Sequence, residues 1–179
     1  MPLGKGMGTT RIARADVPGL RQRTQYTCMA TSVCAALLAH GKKGLTEDIV
    51  NDVMGASPLR GASWEQALSA IQYFGCRGTL MVPTPLGQLR EWTDNALPVL
   101  IAWNPEGRKW SHASVVFDVD DVNVHIMDPN IPDPEETVRV VPIKEFLGKW
   151  HEDAERYMVR RPALVVELEI SEDGKQTRV

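Results

Sequence analysis

The chain has 179 residues, 43% of them hydrophobic, and a formal net charge of −3, which suits a single domain with a proper core. Twenty basic residues against 23 acidic ones leave no basic field, so nucleic acid is not expected as a partner. The apolar runs, such as 97–103 with Pro98 inside, are far too short to span a bilayer, and no membrane partner is expected.

Residues 1–16 read as a flexible, glycine-rich arm that lacks the apolar stretch of a secretory signal, which implies a cytoplasmic protein. Three cysteines at unrelated spacings suit free thiols in a reducing compartment. The body is expected over 17–170, with 171–179 as a polar tail. Polar, turn-forming residues around 21–27 give way at Cys28 to an apolar run that predicts a helix closed by Gly41. Thr46 caps a helix over 47–54, with Glu47 and Asp48 in its first turn. Ser63 and Gln66 form a capping box, and Trp64, Ala67, Leu68, Ile71 and Phe74 make a helical stripe that ends at Gly75. A short strand over 79–82 precedes a helix opened by Thr84-Pro85 and running to about Trp92.

Beyond Leu97 the period becomes that of strands. Strands are expected over 99–103, 112–118, 122–127 and 138–141. A helix over 143–150 and a last strand over 163–170 follow. Helices first and antiparallel strands afterwards predict an α+β fold, an N-terminal helical half packed on a C-terminal antiparallel sheet.

Four residues carry chemistry. A thiol in the first turn of a helix sits at the positive end of the helix dipole, which favours the thiolate, so Cys28 is the candidate nucleophile. Gln22, six residues upstream, offers an amide donor for an oxyanion, with the backbone N–H of Cys28 as its companion. Strand alternation places Val122, Val124, Ile126 and Asp128 on one inner face and Asn123, His125 and Met127 on the other. The hairpin around 119–121 then brings Asp128 alongside His112. His112 is the candidate general acid and base, and Asp128 its orienting carboxylate. Gln25 competes with Gln22, and Asn130 with Asp128, for the same roles. Cys34 and Cys76 read as buried hydrophobes, and His40, His125 and His151 as structural. Asp118, Asp120 and Asp121 read as a solvated turn. No zinc spacing or phosphate loop is present, so neither metal nor cofactor is expected.

These motifs resemble those of the papain-like peptidases that process bacteriocin leader peptides after a double glycine, and of their stand-alone relatives. Gln22 and Cys28 match that family's glutamine and cysteine in spacing, and His112 with Asp128-Pro129 matches its histidine and Asp-Pro pair. The segments 110–116 and 125–129 are similar to its two β motifs, and 61–64 to the turn and helix start between them. Met29 stands where many members have glycine, and Ser111 where glycine commonly precedes the histidine. The resemblance implies a papain-like fold and a cysteine peptidase that cleaves a peptide or protein substrate after small residues, glycine foremost. It leaves open an acyltransferase or deamidase built on the same site, and an idle scaffold that binds a partner protein.

Overall fold

The computed structural model describes residues 14–133, 135–154 and 157–170. The first elements are α1 (Cys28–Ala39), α2 (Glu47–Met54), α3 (Trp64–Tyr73), β1 (Cys76–Met81) and α4 (Leu86–Asp94). Strands β2 (Val99–Trp103), β3 (His112–Val119), β4 (Asn123–Met127) and β5 (Val138–Pro142) follow. The chain ends with α5 (Ile143–Lys149), β6 (His151–Ala154), β7 (Tyr157–Arg160) and β8 (Ala163–Leu168). Six strands form one antiparallel sheet in the order β1-β8-β2-β3-β4-β5. The expected α+β class is the one observed.

Local chemistry explains the helix starts. Thr46 accepts from the Ile49 N–H, and Ser63 exchanges bonds with Gln66 in a complete capping box, so orphan backbone donors are satisfied at both ends. Two departures from expectation lie nearby. Pro85 is the cap residue of α4 and lies outside its first turn. Strand β1 begins three residues early, at Cys76, because Gly75 (φ 73°) turns the chain directly from α3 into pairing with β8.

The helical half covers only one face of the sheet. There α1, α2 and α3 bury Val33, Leu37, Val50 and Ile71 against Leu100, Val115, Met127 and Leu164. The other face is covered by α4 and α5, whose Leu89 and Phe146 pack with Ile101, Trp103, Val116, Ile126 and Trp150. With both faces covered, the strands lose the polar-out alternation of a half-exposed sheet. Val124 and Ile126 share a buried face as expected, but Val122 precedes β4 and is 66% exposed. The hairpin β6–β7 was not foreseen. It pairs His151 with Arg160 and Ala154 with Tyr157 outside the main sheet.

The N-terminal arm expected over 1–16 lies outside the described residues except for Arg14, Ala15 and Asp16, and the tail 171–179 lies outside them entirely. Arg14 pairs with Asp118, and Ala15 is buried. Arg21 donates to the carbonyls of Ile131, Asp133 and Glu136 at 2.7, 2.8 and 3.0 Å, tying this segment to the loop before β5. Among the described residues no helix is long and apolar enough to cross a membrane.

Candidate active site

The three candidate groups meet at one end of the sheet. Cys28 opens α1 directly after Thr27, whose carbonyl accepts the Thr31 N–H. His112 opens β3 and pairs with Trp103 of β2. Asp128 follows β4 at once, and Asn130 N–H turns back onto its Oδ1 at 2.9 Å. Register pairs Trp103 with His112 and Ile126 with Arg139. By alternation, Trp103, His112, Asp128 and Arg139 therefore share one face, and α1 brings Cys28 to the sheet's end.

His112 Nε2 lies 2.6 Å from Asp128 Oδ1. An ionised carboxylate only accepts, so Nε2 carries a proton and Nδ1 is the nitrogen left for the sulfur. Burial alone would raise the Cys28 thiol, but a hydrogen bond with His112, the charge of that ring, and backbone bonds from Ala113 and Met29 together bring it below its ordinary value. Burial also disfavours a charged His112, yet its bonds to Asp128 and Cys28 raise it to about 9. Asp128 is 0% exposed. Burial pushes its carboxyl up, and His112, the Asn130 N–H and the Arg139 charge outweigh that and hold it low. These directions shift the pair toward a thiolate facing an imidazolium. The contrast with the other thiols is sharp: burial and the Glu47 charge push Cys34 up to about 11, and burial raises Cys76.

Gln22 is brought close to this group, but its amide does not face the sulfur. Its backbone N–H bonds the Pro129 carbonyl at 3.0 Å, while its side-chain Nε2 donates to the Thr24 carbonyl at 2.7 Å. Its Oε1 is buried without a hydrogen-bond partner. Gln25, the competing amide, lines the groove beside Cys28. Asn130 meets Asp128 through its backbone N–H, and it is Asp128 that bonds the imidazole.

The sulfur and the ring lie where two open concavities of about 350 and 340 Å³ meet, so the groove runs past the thiol in both directions. One half is lined by Asn104, Glu106, Arg108, Asn130 and Arg139. The other is lined by Tyr26, Met29, Leu59, Ala62, Glu152 and Asp153. Trp110, 54% exposed, walls both. Three contributors were missed from sequence. Arg139 donates from Nε to Asp128 Oδ2 at 2.5 Å; a lone cation in the valine-rich strand 138–141 was the available signal. Glu106 holds Arg139 Nη2 at 2.6 Å. The unforeseen hairpin supplies Glu152 and Asp153, the latter tied to Ser111 through a 2.5 Å N–H···Oγ bond.

Outside the groove, His40 caps the end of α1 and has a structural contact. Its Nε2 meets the Val166 carbonyl at 2.7 Å, and burial favours the neutral ring. Asp118, Asp120 and His125 bring possible metal ligand atoms within 4.8 Å of one another. His125 Nε2 is bonded to Asp120 Oδ2 at 2.7 Å and Arg14 is paired with Asp118, so the cluster is an ion-paired one. Asp118 is fully buried, contrary to its reading as part of a solvated turn.

No protein-family model matches the sequence, and no curated protein matches it. Solved structures do resemble its fold. The double-glycine motif protease of an AMS/PCAT transporter, in complex with its leader peptide, superposes with a TM-score of 0.67 at 20% identity, covering 88% of this chain and 96% of its own. The peptidase domain of Streptococcus ComA, a bifunctional ABC transporter of a quorum-sensing pathway, gives 0.67 at 15% identity, with 84% and 97% covered. A peptidase-like protein from Bacillus anthracis gives 0.63 at 14% identity, with 87% and 96% covered. The fold is thus that of the papain-like double-glycine peptidase domains, over nearly their whole length.

Proposed function

We propose that the chain is a cysteine peptidase that cleaves a peptide or protein substrate through a thioester. The observation that carries this reading is His112 poised between Cys28 and Asp128, with the thiol lowered and the ring raised to about 9. The Cys28 thiolate attacks the scissile carbonyl carbon, forming the C–S bond and an oxyanion. The C–N bond then breaks, and His112 gives its proton to the departing amine. Water, deprotonated by His112, attacks the thioester, and the acid leaves as the thiolate returns. Asp128 holds the ring with Nε2–H toward itself throughout. No cofactor or metal is required by these steps. A preference for small residues before the scissile bond, glycine foremost, is supported by the likeness to double-glycine peptidase folds and by Tyr26 and Trp110 walling the groove at Cys28. The site is read as working in a reducing, cytoplasmic setting that keeps all three free thiols intact.

Iodoacetamide followed by peptide mapping tests the reading. Cys28 is expected to react well before Cys34 and Cys76, at pH values below the ordinary thiol range of about 8.5. Slow, equal labelling of all three sinks it. The mass of the product from a glycine-containing peptide library then separates hydrolysis from deamidation or acyl transfer at the same thiol.

The oxyanion donors are the Cys28 N–H and Gln22, whose amide reaches the groove by exchanging its Thr24 bond for the oxyanion. Gln22→Ala is expected to lower kcat by about 10²–10³, with KM little changed in steady-state hydrolysis. A loss of that size from Gln25→Ala, with Gln22→Ala near wild type, would move the role to Gln25.

A further inference from the structure

Asp128 is fully buried, and its two oxygens have different employment. Oδ1 takes the His112 Nε2–H at 2.6 Å and the Asn130 N–H at 2.9 Å. Oδ2 takes Arg139 Nε at 2.5 Å, and among the described residues no other hydrogen bond reaches it. A buried carboxylate oxygen deprived of its donor is left unsatisfied, and the group rotates or draws in water to recover a partner. Rotation would carry Oδ1 away from the imidazole.

Arg139 is itself held. Its Nη2 lies 2.6 Å from Glu106 Oε1, and its guanidinium stands over the Trp103 ring at 5.9 Å. Pairing with Ile126 fixes its backbone two residues from Asp128 in register. The charged and titratable groups around this line are Cys28 on α1, His112 on β3, Asp128 after β4, Arg139 on β5, and Glu106 between β2 and β3, whose Oε2 also meets Arg108 at 3.1 Å. Glu106 offsets the positive charge that Arg139 would otherwise direct at the imidazolium. Arg139→Gln removes a positive charge together with the aim of the carboxylate, and Arg139→Lys, which keeps the charge but not the fork, separates the two.

We propose that Arg139, braced by Glu106, is a positioning residue that fixes the rotation of Asp128 and through it the aim of His112 at Cys28. The inference rests on the peptidase reading of the site and extends it by a fifth side chain. A fork that serves two carboxylates at once is a property of guanidinium; a lysine ammonium on its flexible stem meets one of them.

The test uses the full chain and iodoacetamide, because Arg139 lines the groove and a peptide substrate would mix aim with binding. Rates at Cys28 are measured against pH for wild type, Arg139→Lys and Arg139→Gln. A badly aimed His112 stabilises the thiolate less, so the acid limb in Arg139→Gln is expected to rise by about one pH unit. That is about a tenfold lower rate at the acidic end, with the high-pH plateau unchanged. Arg139→Lys is expected to fall between the two. A Gln profile that superposes on wild type overturns the proposal. So does labelling of Cys34 and Cys76 in that variant, which would mean that Arg139 merely holds the fold closed. If wild-type Cys28 reacts no faster than Cys34, it is the peptidase reading that fails.

Discussion

Cys28→Ala is expected to lower peptide hydrolysis by on the order of 10⁴–10⁶-fold while leaving the fold and peptide binding in place. The size follows from the chemistry: no other thiol or hydroxyl replaces the sulfur between His112 and the backbone N–H groups of Met29 and Ala113. The harmlessness to the fold follows from position. Cys28 is the first residue of α1 and only half-buried, and alanine is the best helix former. Turnover measured beside calorimetric binding of an uncleaved peptide checks both halves. Retained turnover would remove the nucleophile from the mechanism. A biological effect that survives the substitution would favour a scaffold that binds a partner with its thiol idle.

Much of this site was legible because its parts are local signals repeated at the right distances. The polar-to-apolar switch at Cys28 marks a helix start, and α1 opens at that residue. The short turn after β3 is a hairpin signal, and folding the chain there brings His112 to Asp128. Parity within β4 gave Asp128 its inward direction even though Val122 does not belong to the strand. Continued unshifted from the turn, the pairing of Val119 with Val124 would put His112 and Asp128 on opposite faces; the β-bulge between Val116 and Asp118 shifts the register by one residue and brings both to the same face, a step no local pattern announced.

What stayed hidden depends on contacts between segments far apart in sequence. The Arg139–Asp128 bond needs the β4–β5 register, and its brace needs Glu106 from a loop on the other side of β3. Neither has a local pattern. The hairpin β6–β7 escaped because its four-residue strands are polar or mixed and lack the alternation of a sheet over a core. The two-sided burial of the sheet also blurred the signal: Ile126 and Met127 are adjacent yet both buried, in different cores. Gln22 shows the reverse case. Its spacing from Cys28 is legible, but its amide direction is set by Thr24 and by the buried Glu47 carboxylate, which holds the Arg23 N–H at 2.9 Å.

Asp128→Asn is expected to cost more here than a loss of charge would suggest, lowering kcat by on the order of 10³–10⁴. The carboxylate serves donors at both oxygens, His112 Nε2–H at Oδ1 and Arg139 Nε–H at Oδ2. An asparagine has one acceptor oxygen and one amide group that only donates. If its oxygen faces His112, its NH₂ meets the Arg139 donor head-on; if it satisfies Arg139, the NH₂ faces the ring and forces the other tautomer. Either way the proton on Nε2 and the free Nδ1 that the thiol needs are no longer both secured. The imidazolium also loses the partner that raises it to about 9. Above that pH the wild-type ring surrenders its proton and the leaving group its acid, so the basic limb of kcat/KM, which reports the free enzyme, is expected near pH 9 and to move to lower pH in the variant. The sign is fixed: a raised histidine pKa extends the protonated range upward, and removing its cause contracts it. Steady-state kcat and kcat/KM against pH for wild type and Asp128→Asn measure the two effects, and an unchanged basic limb of kcat/KM would show that Asp128 does not govern the protonation of His112.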